Sequence, residues 1–104
     1  TSVMLTGDAT SGVEKWLTRL DGKNLKSTVL KVGHHGSRTS TASEFVGFVA
    51  PKFAVISDGV RNRYGHPHKE TLYTLAKFNV PVFRTDTQGT IIMHSDGEEI
   101  RVEK

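Results

Sequence analysis

The sequence predicts an α/β fold, and three observations indicate it. Short apolar or β-branched segments alternate with segments whose apolar residues recur at helical spacing. Glycine, proline and polar turn residues separate these segments, with ten glycines and three prolines among the 104 residues. The last two predicted strands flank Ser95-Asp96-Gly97, as in an antiparallel hairpin. We therefore expect a mixed sheet with flanking helices and a terminal hairpin.

Four strands are predicted before the hairpin, at residues 2–6, 28–32, 53–57 and 80–84. The segment 53–57 is a nearly continuous apolar run, which is typical of a central strand buried on both faces. The hairpin strands are predicted at 90–94 and 99–102.

Three helices are predicted between the strands. The first begins at Thr10 or Ser11, either of which can act as an N-cap, and runs to about Leu20. A capping box of Thr41 and Glu44 opens the second helix, and Pro51 ends it. The third helix begins with Pro67 and runs through Phe78. The residues expected to face inward are Val13, Trp16, Leu17 and Leu20, then Phe45, Phe48 and Val49, then Leu72, Leu75 and Ala76.

The composition limits the chemistry that the chain can perform. No cysteine is present, which excludes disulfides, thiolate metal sites and cysteine nucleophiles. Any metal must therefore be held by imidazole and carboxylate groups. The net charge of +3 and the pI near 9.4 are compatible with a polyanionic partner. No apolar run approaches the roughly 20 residues that span a bilayer, so we expect a soluble chain.

Polar side chains follow the first three predicted strands, at Asp8, at His34 and His35, and from Asp58 to His66. Parallel strands end at the same edge of a sheet, so we expect these groups to converge. A carboxylate and imidazoles at neighbouring strand ends suit a divalent metal, and oxygen and nitrogen ligands favour zinc or manganese. The alternatives are a turn or capping role for Asp8 and a solvated turn for His34 and His35.

Three motifs in this order resemble the metallo-β-lactamase-like domain of the ComEC competence protein family. They are Leu5-Thr6-Gly7-Asp8, Val29 through Ser37 with its His-His-Gly-Ser end, and Asn62 through His68 with Tyr-Gly-His-Pro-His. Arg84-Thr85-Asp86 and Gly89 before the hairpin also match. The resemblance covers nearly the whole chain and implies a four-layer αββα sandwich, of which this chain is the C-terminal half.

The resemblance also implies a site with two divalent metal ions, zinc or manganese. Asp8 matches the carboxylate that bridges the two metals, and one of His34 and His35 matches the last histidine ligand. We favour His34 as the ligand, with His35 as a catalytic residue that orders the loop or contacts substrate. His66 is the second residue to which we assign a catalytic role.

The chain departs from the family at the remaining metal ligands. These come from a His-x-His-x-Asp-His-type motif in the first half of the domain, and no histidine precedes His34 in this sequence. Either the first half is missing or lies on another chain, or the chain is a degenerate relative without metal chemistry. Because the sequence starts within a predicted strand, we favour the first explanation.

A phosphate-binding group is predicted around the start of the third helix. Free amide N–H groups there attract anions, and His66, if protonated, and Arg63 would add charge-assisted contacts. The residues assigned to phosphate are Ser37, Asn62, Arg63, Tyr64 and His68. The alternatives are that His66 is an N-cap and that Tyr64 is a packing lid. His68 would then be solvated or would lie beside a ligand residue without being a ligand itself.

The function implied by the resemblance is metal-dependent phosphodiester hydrolysis of DNA, with degradation of one strand during uptake and single-stranded DNA as the partner. It also implies a membrane channel domain in the same protein and a location at the bacterial cell surface. Two alternatives remain open: a non-catalytic nucleic-acid-binding or interaction module, and a phosphodiesterase acting on a small or cell-wall phosphoester. A fragment of this kind could also form a homo-oligomer through its unpaired sheet edge.

Overall fold

A computed structural model describes residues 2–59 and 65–103 and shows an α/β fold with strands of both senses and flanking helices. Two short 3₁₀ turns, Gly22–Leu25 and Gly33–Gly36, lie before and after the second strand. The helices and strands are β1 (Val3–Leu5), α1 (Ser11–Asp21), β2 (Val29–Lys31), α2 (Ser43–Val49), β3 (Phe53–Ile56), α3 (Lys69–Lys77), β4 (Val82–Arg84), α4 (Thr85–Gln88), β5 (Met93–Ser95) and β6 (Ile100–Val102).

The four first strands form one parallel sheet in the order β1-β2-β3-β4, and β5 and β6 form a separate antiparallel pair. One register row runs through Met4, Leu30, Ala54 and Val82, and adjacent rows place Val3 beside Val29 and Phe53. The predicted strands and hairpin are thus confirmed, with shorter bounds, and β5 ends one residue later than predicted, at Ser95. The short helix α4 was not predicted.

The hydrophobic core lies between the parallel sheet and its helices. Leu30, Ala54 and Ile56 point from the sheet into this core and are at most 1% exposed. The helices and loops contribute Leu25, Phe45, Val46, Val49, Leu75 and Val80. Leu17 and Leu72 are partly buried against the same cluster. The inward positions of Phe45, Val49 and Leu75 are therefore confirmed, whereas Phe48 and Ala76 are exposed.

The opposite face of the sheet is apolar and only partly covered by the hairpin. Side chains alternate along a strand, so Val3 and Leu5 lie on the face away from Met4, and they are 55% and 73% exposed. A cavity of about 310 Å³ lies between this face and the hairpin, and a second cavity of about 660 Å³ lies beside Phe53 and Phe83. A sheet with apolar residues on both faces normally packs against a further layer.

Helix α1 contradicts the prediction for its inward face. Val13, Trp16 and Leu20 are 45%, 59% and 58% exposed, whereas Glu14 and Thr18 on the other side of the helix are buried. The Glu14 carboxylate accepts hydrogen bonds of 2.8 Å from the backbone N–H groups of both Thr41 and Ala42. These two bonds attach the polar side of α1 to the start of α2.

The predicted starts of α2 and α3 are also wrong. Thr41 has a left-handed φ of 60°, Ala42 is the N-cap of α2, and Glu14 supplies the carboxylate that the capping box assigned to Glu44. Helix α3 begins at Lys69 with His68 as its N-cap residue. The alternative of His66 as the N-cap is therefore wrong as well.

Candidate active site at the carboxyl edge of the sheet

The loops that follow β1, β2 and β3 meet at one edge of the sheet, as predicted. The His34 N–H donates to the Gly7 carbonyl at 2.7 Å, and the His68 N–H donates to the Gly36 carbonyl at 2.9 Å. The His35 Nδ1 atom lies 2.7 Å from the Ser57 carbonyl oxygen. We refer to residues 6–8, 33–37, 57–59 and 65–68 as the carboxyl edge.

Two glycines allow these loops to approach each other. A Cβ atom on Gly33 would lie 2.7 Å from the Thr6 hydroxyl oxygen. On Gly36, whose φ is +85°, it would lie 2.6 Å from the Cβ of Pro67. The glycines of the Gly-His-His-Gly segment therefore bring the histidine loop against its two neighbouring loops.

His34 and His35 project from a tight turn in which both residues adopt left-handed backbone angles, with φ of 54° and 53°. A neutral imidazole that donates Nδ1–H to the Ser57 carbonyl carries its lone pair on Nε2. His35 is exposed and has this arrangement. His34 is half-buried, and its Nδ1 is hydrogen-bonded to the Thr39 hydroxyl at 3.2 Å.

His66 and His68 lie beside the histidine turn. The ring centroid of His66 is 6.2 Å from that of His34 and 4.7 Å from that of His68. The Nδ1 atom of His68 accepts the Arg38 N–H at 2.9 Å, which places the proton of the neutral ring on Nε2. The structure thus places the His66 imidazole next to those of both His34 and His68.

Burial lowers the pKa of the His66 imidazole, and repulsion by His68 lowers it further, while attraction by Asp58 opposes both. The lowered pKa favours the neutral ring, which would offer a phosphate an uncharged N–H donor. A charge-assisted contact from His66 requires a protonated ring, which this environment disfavours.

We expect an NMR titration of His66 to give a midpoint below about 6.5, the ordinary imidazole value. Because the pKa is lower in the folded than in the unfolded state, the unfolded chain binds this proton at a higher pH than the folded chain does. The free energy of unfolding should therefore fall as pH decreases from about 7 towards the lowered pKa. A midpoint above the ordinary value would contradict this description of the site.

Asp58 was expected at this edge, but sequence reasoning assigned it no role in binding a metal or a phosphate. Its backbone N–H donates to the Thr85 Oγ1 at 2.8 Å, and the Thr85 hydroxyl donates back to the Asp58 carbonyl at 2.9 Å. Within the described part of the chain, its buried Oδ2 atom has no hydrogen-bond partner. Burial raises the pKa of Asp58, while attraction by His35 and His66 acts in the opposite direction. The sequence signal that could have identified Asp58 is its position, as a carboxylate, just after the buried strand β3.

The end of β4 supports this arrangement through an ion pair. Arg84 Nη2 and Nε donate to the two carboxylate oxygens of Asp86 at 2.7 and 3.0 Å. The hydrogen bonds from Arg84 lower the pKa of Asp86. This pair holds the turn that presents Thr85 to Asp58.

The remaining predicted residues differ in how closely they join this group. Asp8 is exposed and follows Gly7, whose carbonyl binds the His34 N–H. Ser37 is 5% exposed, and its hydroxyl is hydrogen-bonded to that of Thr39 at 2.8 Å. Asn62, Arg63 and Tyr64 lie outside the described residues. His94 pairs with Glu103 at 2.7 Å on the hairpin.

Within residues 2–59 and 65–103, no three or more His, Asp or Glu side chains are arranged to hold a metal ion. The same residues contain no helix with the length and hydrophobicity needed to cross a bilayer. The carboxyl edge nevertheless combines imidazoles, exposed Asp8 and the buried Asp58 oxygen. This is an α/β protein whose polar groups gather where parallel strands end, which is the usual ligand-binding position in such sheets.

Comparison with known proteins gives the relationship. The chain is 47% identical over 90 residues to the ComE operon protein 3 of Bacillus subtilis, a match of 86% of this chain and 12% of that protein. It is 37% identical over 90 residues to the competence protein ComA of Neisseria gonorrhoeae, covering 86% of this chain and 13% of that protein. It is 34% identical over 103 residues to the recombination protein 2 of Haemophilus influenzae, covering 99% of this chain and 13% of that protein.

These relatives support the assignment of the chain to a competence protein family. The chain spans 12% to 13% of the length of the relatives it matches. No known protein-family profile matches the chain. No solved structure matches it either.

Proposed function

We propose that this chain is the C-terminal half of a metallo-β-lactamase-type domain that hydrolyses phosphodiester bonds of DNA during competence DNA uptake. The observation that carries the proposal is the carboxyl edge, where three strand-end loops are joined around His34, His35, His66 and His68. Asp8 and Asp58 add carboxylates to the same edge. The similarity to competence proteins supports DNA as the substrate.

The donor chemistry of the carboxyl edge fits a divalent metal, but the number of donors is too small. Imidazole nitrogen and carboxylate oxygen suit zinc or manganese. Within the described residues, the buried Oδ2 atom of Asp58 has no hydrogen-bond partner, and a cation would satisfy it. Since the described residues hold no cluster of three such ligands, other ligands must come from elsewhere.

The uncovered sheet face supports the proposal that a further segment completes the domain. Val3 and Leu5 expose more than half of their surface on a face that the hairpin covers only in part. The preceding half of the domain, or another chain, would bury this face and bring the remaining ligands to the carboxyl edge. In a competence protein, this segment would connect to a membrane channel domain.

The residues of this chain would act as follows. Asp8 and His34 would hold the metal ions, which when bound provide Lewis-acid stabilisation of the charge that develops on phosphate oxygens. His35, oriented by the Ser57 carbonyl, would hold or accept a proton at Nε2. His68, fixed by the Arg38 N–H, presents an Nε2–H that can donate to a phosphate oxygen, and the neutral His66 lies next to it.

The test is cleavage of a labelled single-stranded oligonucleotide by the 104-residue chain and by a longer protein that includes the preceding half. We expect manganese- or zinc-dependent cleavage by the longer protein, abolished by chelator and reduced at least about 100-fold by Asp8→Ala. His94→Ala, which removes an imidazole from the hairpin, is the matched control and should retain activity.

Two other outcomes would replace the proposal. DNA binding that survives chelator, without cleavage by either protein, would support a non-catalytic nucleic-acid-binding module. Cleavage of a small phosphodiester but not of DNA would retain the metal site and change the substrate. Absence of all three activities would contradict the proposed function.

A further inference from the structure

The outer face of α1, made by Val13, Trp16 and Leu20, is an apolar surface that the described fold leaves exposed. These side chains recur three and four residues apart, so they form one stripe along the helix. They are 45%, 59% and 58% exposed. On α2, Phe48 is 43% exposed, and its ring lies against Gly22, the residue that follows α1.

Cations border this stripe. Arg19 lies three residues after Trp16 and four after Lys15, so the two cations form a row next to the indole. Lys23 and Lys26 follow in the turn after the helix. Among the exposed residues of the segment 11–26 there are four cations, and Asp21 is the single anion, because Glu14 is buried.

The burial of Glu14 explains why α1 keeps this orientation. Its carboxylate accepts the Thr41 and Ala42 N–H groups, so rotating the apolar stripe inward would carry this carboxylate outward and leave both donors unpaired. The helix is thus fixed with its polar side inward and its apolar side outward.

From this geometry we propose that the outer face of α1 docks onto the surface of an anionic lipid bilayer. An amphipathic helix with Trp and Leu on one side and Lys and Arg beside them lies in the bilayer interface, with the cations at the headgroups. The indole is the side chain most typical of that interface. This inference does not depend on the proposed function.

Charge and side-chain chemistry favour this occupant over the others. A second copy of the chain would place its own four cations against those of the first, which is repulsive. A nucleic acid could stack on Trp16 and pair with the cations, but Val13 and Leu20 would then face phosphate and solvent. An anionic bilayer accepts the aliphatic side chains and the cations together.

The test uses Trp16, the only tryptophan in the chain, as an intrinsic fluorescent reporter. Vesicles of phosphatidylcholine and phosphatidylglycerol should shift its emission to the blue and sediment the chain, whereas phosphatidylcholine alone should do neither. The double variant Lys15→Glu, Arg19→Glu and the single variant Leu20→Glu should each weaken partitioning at least about tenfold. Tyr73→Glu, at a 71% exposed position on α3, should not.

Circular dichroism of each variant confirms that the fold is retained. An unchanged emission on anionic vesicles would overturn the proposal, as would equal binding to neutral vesicles or no effect of the charge-reversed variant. Quenching by a single-stranded oligonucleotide without any response to vesicles would assign the surface to nucleic acid instead. A shift that depends on protein concentration alone would assign it to a second copy.

Discussion

Replacing Glu14 by alanine is expected to lower the free energy of unfolding by about 3 kcal/mol. Glu14 is 1% exposed, and its two oxygens each accept a backbone N–H at 2.8 Å. Alanine would leave the Thr41 and Ala42 donors without these acceptors at the start of α2. It would also break the attachment of α1 to that helix.

The measurement is urea unfolding of the 104-residue chain at neutral pH, with Glu44→Ala as the matched control. Glu44 is the exposed partner in the predicted capping box, and its replacement should change stability by less than about 0.5 kcal/mol. If Glu44→Ala were the more destabilising change, the capping box would be correct and the observed role of Glu14 wrong.

Replacing Gly36 by alanine should cost about 3 kcal/mol, because overpacking adds to backbone strain. The new Cβ would lie 2.6 Å from the Cβ and 3.0 Å from the Cα of Pro67, and the residue has a φ of +85°. Relief would require the loop that carries His66 and His68 to move away from the histidine turn. The bond from the His68 N–H to the Gly36 carbonyl would be lost with it.

Gly7→Ala separates the two contributions. Gly7 also has a positive φ, of +56°, but apart from its chain neighbours no atom of the described residues lies within 4 Å of its added Cβ, so only the strain of about 1 kcal/mol applies. Equal unfolding free energies for the two variants would show that the close approach of Pro67 to Gly36 does not stabilise the carboxyl edge.

The order of strands and helices could be predicted because it depends on local patterns. The apolar run ending at Ile56 and the Asp-Gly turn of the hairpin each specify their own element. The convergence of His34, His35 and His66 also followed, since parallel strands that are joined by helices must end at one edge. The resemblance to a competence family agrees with the relatives that were found.

The orientation of α1 could not be predicted, because a long-range polar contact determines it. Periodicity places Val13, Trp16 and Leu20 on one face, and burial of that face is the usual outcome. The two hydrogen bonds of Glu14 link residues 27 and 28 positions apart in sequence, and no local pattern reports them. The carboxylate of Asp58 is visible in the sequence directly after the buried strand, but its attachment to Thr85 spans 27 residues and has no local signal.

We propose that the carboxyl edge is part of a metal site that another segment completes. The most direct measurement is metal content by mass spectrometry, for the 104-residue chain and for a protein that includes the preceding half. We predict background metal in the former and near-stoichiometric zinc or manganese in the latter. The double variant Asp8→Ala, His34→Ala should lose this metal, and His94→Ala should retain it. Background metal in both proteins, or metal retained by the double variant, would contradict the claim.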